Sequence, residues 1–298
     1  MIHPLPQPWP QTAHRPLLGA NGTEAMAVLL EKGADHLVDY QKVGPFMGEE
    51  AVMALSARFP LLLHLDDTLS VHRPPTQPLL ERLQAWVRLT GTPWTSEHIA
   101  YGVAGADLES ATRPWPFSAS LSRETALANI VRNARTLAAA LPVSLLLENI
   151  PLYPNVAHLH VCEPEFITEV LNLTDCGLLL DLAHARVTAS VLGMDMHAYL
   201  EALPLERVVE LHLSGPRPVG SLSPERRQRF WLNACTVIDR LTFSDGCLVD
   251  AHEPMQEADY ALLAWTLARC QPQAISLEYY RDPSALREQL ERLGAMIG

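Results

Sequence analysis

The sequence predicts an α/β fold, a (β/α)8 TIM barrel, as one domain over residues 1–298 with an irregular N-terminal segment at 1–16. Three observations predict it. A length of 298 residues leaves little beyond the roughly 250 that a barrel of this kind needs. Short apolar runs followed by longer helical patterns recur along the chain, the rhythm of a parallel barrel. The runs are also continuous rather than alternating, as in strands covered on both faces.

The first expected strand is Leu17–Asn21, followed by a helical pattern over Glu24–Lys32. Strands at His36–Val43 and Leu61–Leu65 come next, then a helix over Gln77–Leu89 and a strand at Thr95–Tyr101. Arg123–Ala140 has the clearest helical period: Leu127, Ile130, Val131, Ala134 and Leu137 share one stripe, with Arg132 and Arg135 outside it. Pro142 ends it, because proline cannot continue the hydrogen-bond ladder. Val143–Ile150 is the fifth strand and Glu163–Leu173 the next helix. Gly177 reads as the stop after that helix and opens the strand Gly177–Ala183. Val208–Ser214, a helix over Pro224–Leu241 and Ala274–Tyr279 complete the set of eight strands. A ninth extended piece, Cys247–Ala251, reads as a loop or an irregular strand.

Composition narrows the function. Hydrophobic residues make up 48% of the chain and charged residues 19%, ordinary values for a globular protein. No apolar run approaches the roughly 18–20 residues that span a bilayer. The proline-rich start, Met1 to Pro16, lacks the basic patch and apolar stretch of a signal peptide, so a soluble cytoplasmic protein is expected. Five widely spaced cysteines (Cys162, Cys176, Cys235, Cys247, Cys270) fit neither a disulfide framework nor a zinc ribbon. A net charge of -12, with no Lys/Arg run longer than Arg226-Arg227, disfavours nucleic acid as the main partner.

The chemistry sits where the apolar runs end. His64 ends PLLLHL, His98 ends TSEHIA and Glu148 ends SLLLENI. Asp181 ends a run with His184 three residues on; His212 lies in VVELHLSG, Asp250 and His252 in CLVDAHEP, and Glu278 in ISLEYY. In this barrel class the strands' C-terminal ends build the active site. A buried carboxylate or imidazole is costly unless paired or metal-bound. Singly, each has a plainer explanation: a hydrogen-bonded core histidine, a helix cap at Asp181, turn chemistry at Asp250, or half an ion pair at Glu148 or Glu278. Nine at successive strand ends point instead to a shared metal cluster. The donors are nitrogen and oxygen only, which suits iron, manganese or zinc, and their number exceeds what one zinc ion takes. Glu148, Asp181 and His184 are the expected catalytic residues within this set. Arg186, His158 and His160 are candidate substrate contacts, with a salt bridge the plainer role for Arg186. Asp66 and Asp67 read as supporting or solvated groups, and His3, His14, His36, His72 and His197 as surface or packing residues.

The motifs SEHIAY (96–101), LLLENI (145–150), GLLLDLAHARVTAS (177–190), ELHLSG (210–215), DAHEP (250–254) and LEYY (277–280) carry a resemblance over nearly the whole chain. It resembles the xylose-isomerase-like barrel superfamily and, within it, the family of formerly unknown function that contains the methanobactin-biosynthesis multinuclear non-haem iron oxygenase. The resemblance implies an oxygen-dependent enzyme with two or three iron ions. It also implies a cysteine-containing, ribosomally made precursor peptide as substrate, delivered by a small companion protein. His64, His98 and Glu148 would then serve one iron; Glu148 would bridge to a second, held by Asp181, His212 and Glu278. His184, Asp250 and His252 would hold a third ion. The chain has His64-Leu65 where the family commonly has His-Gly, and Asp181-Leu-Ala-His184 where it commonly has Asp-x-Asn-Asn. The Asp-x-x-His form resembles the apurinic-endonuclease branch, which implies a trinuclear zinc hydrolase as the alternative. Sugar isomerases of the superfamily place a lysine near their metals. With Lys32 and Lys42 the only lysines, both early in the chain, that activity is not expected, and a scaffold that binds metal or peptide without turnover is the remaining class.

Overall fold

The computed structural model describes residues 9–10, 15–65, 69, 73–99, 121–152, 159–227 and 244–298. Eight parallel strands close into a barrel: β1 (Leu17–Asn21), β2 (Tyr40–Val43), β3 (Leu61–His64), β4 (Trp94–His98), β5 (Ser144–Glu148), β6 (Gly177–Asp181), β7 (Val208–Leu213) and, as the last barrel strand, β10 (Ala274–Leu277). β1 pairs with both β2 and β10, which seals the ring. Outside it, β8 (Gly215–Pro218) and β9 (Leu248–Glu253) form an antiparallel ribbon.

The described α-helices are α1 (Glu24–Glu31), α2 (Glu49–Ser56), α3 (Gln77–Thr90), α4 (Arg123–Ala140), α5 (Pro164–Thr174), α6 (Leu182–Leu192), α7 (Met196–Glu201), α8 (Glu257–Leu267) and α9 (Pro283–Ile297). Caps fix several of their starts. The Thr23 hydroxyl accepts from Met26 N, Ser122 from Thr125 N and Asp282 from Ala285 N. Among the described residues no helix is long and apolar enough to cross a membrane.

The strand period of two divides the core. Outward-facing Leu61, Leu63, Leu145, Leu147, Leu178 and Leu180 pack with the helices in the main apolar cluster. Inward-facing Leu17, Tyr40, Leu62, Trp94, Leu146, Leu179 and Ala274 form a second cluster inside the barrel, with Trp9 and Val209 against it. Gly19 makes room for this plug, since a Cβ there would lie 2.3 Å from the Tyr40 ring. Two residues further along the same strands the inward positions become ionic: Lys42, His64, Glu148 and Asp181.

Several expected boundaries shift. The strand expected from His36 starts at Tyr40, because Asp35–Leu37 forms a 3-10 turn. Asp181 ends β6, and Leu182 already belongs to α6. Asp175, with φ 57, supplies the left-handed cap of α5 that Gly177 was expected to signal. Gly177 serves packing instead, since a Cβ would meet Leu146 at 2.7 Å and Val209 at 2.9 Å. The ninth piece is a true strand, β9, but of the ribbon rather than the barrel. Of the helix expected over 224–241, residues 224–227 are described and helical.

Candidate metal centre

The residues at the strand ends converge on one mouth of the barrel. Glu148, at the end of β5, lies at their centre. Its Oε2 is 3.5 Å from His64 Nε2 and 3.5 Å from His98 Nε2, while its Oε1 is 3.3 Å from His212 Nδ1 and 3.4 Å from His184 Nδ1. His212 Nδ1 is also 3.4 Å from Glu278 Oε1. Register explains the convergence: His98 stands beside Glu148, and Asp181 beside His212.

Asp181 and His184 are joined by the start of α6. Asp181 Oδ1 caps that helix by accepting from His184 N at 2.7 Å, which leaves Oδ2 facing His184 Nε2 at 3.8 Å. The helix-cap role and the cluster role therefore coexist, one on each oxygen. The ribbon contributes the remaining pair: Asp250 Oδ2 is 3.4 Å from His184 Nε2 and 3.2 Å from His252 Nδ1, and His252 Nε2 is 3.2 Å from Glu278 Oε2. His252 adopts φ 46, a left-handed backbone that costs a non-glycine residue energy and that recurs at functional sites. All nine strand-end residues expected to act together thus meet in one place.

Among the described residues, three triads have donor atoms mutually within 4.8 Å: His64, His98 and Glu148; Glu148, Asp181 and His184; Asp181, His212 and Glu278. Glu148 Oε2, Asp181 Oδ2 and His212 Nδ1 are buried without a hydrogen-bond partner. Orphaned buried polar atoms of this kind are rare, because each forfeits its hydration uncompensated. A cation between them supplies what is missing, so the residues fit a metal cluster.

Supporting contacts select which imidazole nitrogen faces the cluster. Ser96 Oγ lies 2.8 Å from His64 Nδ1, which turns His64 Nε2 toward Glu148. The Asn149 carbonyl lies 2.8 Å from His184 Nδ1, nearer than Glu148, so Nε2 serves the cluster. Glu210 Oε1 is 3.0 Å from His212 Nε2, which leaves Nδ1 inward. Partners of this type fix the tautomer and raise the basicity of a ligating histidine.

The charges are tightly linked. Burial alone would raise the Glu148 carboxyl, but His98, His212 and His64 hold it well below the usual range. Burial lifts Asp181 to about 7. Burial opposes a charge on His212 and His252, yet Glu278 and Glu148 carry the former up to about 10, and Asp250 with Glu278 the latter to about 9. His64 moves the other way, driven down by burial and then by Lys42.

Lys42 was not expected here. Its ammonium bonds the Glu278 carboxylate, and the side chain is buried. A lysine early in the chain still reaches the site because β2 lies two strands from β10 around the closed ring. An isomerase can therefore no longer be set aside for want of a lysine near the site. Glu210 was also missed as a site residue, although Glu210 and His212 in ELH stand two apart on one strand face. Arg186 pairs with Asp259 of α8, so its guanidinium is committed to a salt bridge between helices. His160 is half-buried and packs on Phe166, with ring centroids 5.6 Å apart, and no described contact joins it to the cluster. His158, Asp66 and Asp67 lie outside the described residues. Among those described, Cys162, Cys176, Cys247 and Cys270 are free thiols.

A family model described as RiPP precursor modification enzyme MbnB/TglH/ChrH matches residues 39–296. The chain belongs to this family. Its members are grouped as enzymes that modify ribosomally made peptide precursors. A UPF0276 protein of Anaeromyxobacter sp. (strain Fw109-5) is 35% identical over 160 residues, 52% of this chain and 54% of that protein. A UPF0276 protein of Pseudomonas aeruginosa (strain UCBPP-PA14) is 29% identical over 199 residues, 66% of each. The chain spans about half the length of the first of these curated relatives. Among solved structures, a D-tagatose 3-epimerase-like protein superposes with a TM-score of 0.54 at 13% identity, covering 94% of this chain and 96% of its own. Endonuclease IV from Thermus thermophilus gives 0.51 at 18% identity, covering 94% and 98%. These two likenesses show the barrel fold and nothing of the reaction.

Proposed function

We propose that this protein is a multinuclear non-haem iron enzyme that uses dioxygen to modify cysteine residues of a ribosomally made precursor peptide in the cytoplasm. The observation that carries the metal part is the trio of orphaned buried atoms, Glu148 Oε2, Asp181 Oδ2 and His212 Nδ1, inside a ring of nitrogen and oxygen donors. The peptide part rests on the family.

In this reading His64, His98 and Glu148 hold one ion. Glu148 would also serve a second, with Asp181, His212 and Glu278. His184, Asp250 and His252 hold a third. Glu148 faces His64 and His98 through Oε2 and His212 through Oε1, which would let one carboxylate serve both sites. Bound iron would supply dioxygen binding and one-electron redox chemistry. The chain's own residues do the rest. Ser96, Asn149 and Glu210 set the imidazole tautomers, and the apolar plug below excludes water from that side. The side chains of His98 and His252 are 19% and 25% exposed, against 1% for Glu148, so these two ligands are the ones most open to an approaching cysteine side chain. A small companion protein is the expected vehicle for the precursor. Arg186 is not carried forward as a substrate contact.

Metal analysis of protein purified without added metal tests this directly. The expected result is near-stoichiometric iron, two to three per chain, with visible absorption that changes when a cysteine peptide is added anaerobically and oxygen uptake that the peptide then stimulates. Zinc at the same occupancy with no oxygen uptake would overturn it in favour of a trinuclear zinc hydrolase, whose water-activating chemistry the same donors could serve.

A further inference from the structure

The ionic layer is joined to the far mouth of the barrel by aromatic side chains. Glu210 accepts from Trp94 Nε1 at 2.9 Å through Oε2, while its Oε1 faces His212 at 3.0 Å. Trp94 is buried in the plug and meets Trp9 edge-on, with ring centroids 5.3 Å apart and planes at 71°. Trp9 is half-buried and lines a cavity of ≈ 510 Å³ at the N-terminal mouth, opposite the cluster. Tyr40 touches the same Trp9, centroids 5.1 Å apart, and its hydroxyl pairs with Ser276, which in turn donates to Glu210. Leucine or valine would plug a barrel equally well. Instead, among the leucines of the plug, Trp94, Trp9 and Tyr40 run from Glu210 toward the far opening, and these are among the side chains most easily oxidised by one electron. The two kinds differ, because phenol oxidation requires the proton to leave and indole oxidation does not. Burial and then Glu210 push the Tyr40 hydroxyl well above its usual range, which disfavours that branch.

We propose that Trp94 and Trp9 form a relay that carries oxidising equivalents from the metal centre to the N-terminal mouth when no peptide is bound. The relay rests on the oxygen-dependent iron reading above. The Trp94 indole gives one electron to the iron centre oxidised by dioxygen, and its radical cation keeps the N–H proton beside the Glu210 carboxylate. Trp9 then gives one electron to Trp94, which is restored. The Trp9 radical cation releases its N–H proton to water in the cavity. A small thiol reductant returns a hydrogen atom to Trp9 and becomes a thiyl radical. In net terms the centre gains one electron, water gains one proton and the thiol loses one hydrogen atom.

The test uses the full-length iron-loaded protein exposed to dioxygen without peptide and without thiol, with catalase present to remove free peroxide. Freeze-quench electron paramagnetic resonance and peptide mapping follow the radical and its products. The wild type is expected to show a tryptophan radical and oxidation concentrated at Trp9, with the outward-lying Trp265 unmodified as internal control. In W94F, Trp9 oxidation is expected to fall at least several-fold. Because W94F removes a buried hydrogen bond, W9F provides the second arm. Oxidation there should move to Trp94 and inactivation without peptide should accelerate several-fold, while the initial peptide-dependent rate stays that of the wild type. Trp9 oxidation that persists in W94F, or W9F inactivating at the wild-type rate, overturns the relay while leaving the iron reading intact. Failure to bind iron, or to consume dioxygen once a cysteine peptide is added, overturns both, and metal analysis and peptide-dependent oxygen uptake tell that failure apart from the first.

Discussion

At the scale of single residues, the centre rests on side chains that satisfy two demands at once. Asp181 caps α6 with one oxygen and offers the other to the cluster. Glu148 meets four imidazoles. Replacing it as E148Q leaves an amide that accepts at one atom only, so a bridging position is lost. We expect E148Q to bind at least one ion fewer per chain than the wild type, read by elemental analysis on folded protein. Glu210 touches no expected metal site directly, yet it orients His212. For E210Q we expect metal affinity to drop by about 10–100-fold, the range typical of such supporting partners. Competition with a coloured chelator measures this. Protonation gives a third expectation. In the metal-free chain His212 titrates near about 10 and His252 near about 9, so both carry protons at neutral pH. Binding a cation must displace those protons, and apparent affinity should rise with pH up to that range. Titration calorimetry in buffers of different ionisation enthalpy reports the protons released. A pH-independent affinity between about pH 6 and 8 would contradict it. The sign for stability is opposite. A raised histidine pKa stabilises the metal-free fold fully below the free value of 6.5, and that contribution fades as pH climbs through about 9 to 10.

At the scale of elements, the caps and the close approaches decide where strands and helices stop. The Ser122 hydroxyl caps α4 on the outside of the barrel, and no described contact joins it to the cluster. S122A should cost about 0.5–2 kcal/mol of stability and leave metal content unchanged, a pair of readings that separates helix capping from site chemistry. Chemical denaturation with elemental analysis on the same preparation checks both. The ribbon is the other informative element. It carries Asp250 and His252 but lies outside the barrel ladder, and Gly215 lets its strands meet, since a Cβ there would lie 2.4 Å from the Glu253 carbonyl oxygen. Sequence patterning read β9 as ambiguous because only Val249 and Ala251 of the strand are buried, in a small cluster with Val219 and Leu222, too short an apolar signature to separate a ribbon from a loop.

At the scale of the whole molecule, the barrel buries carboxylates and imidazoles of which several polar atoms go unsatisfied without cations. Chelation should therefore lower the thermal midpoint. An ion present at about 100 times its dissociation constant adds about 2.7 kcal/mol to stability by mass action, and removing it should forfeit that increment. A midpoint unmoved by chelator, with metal loss verified, would contradict the cluster.

The sequence by itself determined the strand-helix rhythm, the barrel and the nine strand-end residues that meet at one mouth. Each of these follows from local rules: continuous apolar runs for strands covered on both faces, and functional groups where such runs end. The tertiary structure alone decided the rest. Lys42 reaches Glu278, and Trp94 reaches Glu210, across the barrel interior from positions far apart in the chain. Arg186 follows Asp181 and His184 closely in the chain, yet it turns away from them to Asp259 on another helix. The physical reason is closure. Strands joined into a ring put inward side chains opposite partners set by register and shear, and no local pattern in the chain encodes which partners those are.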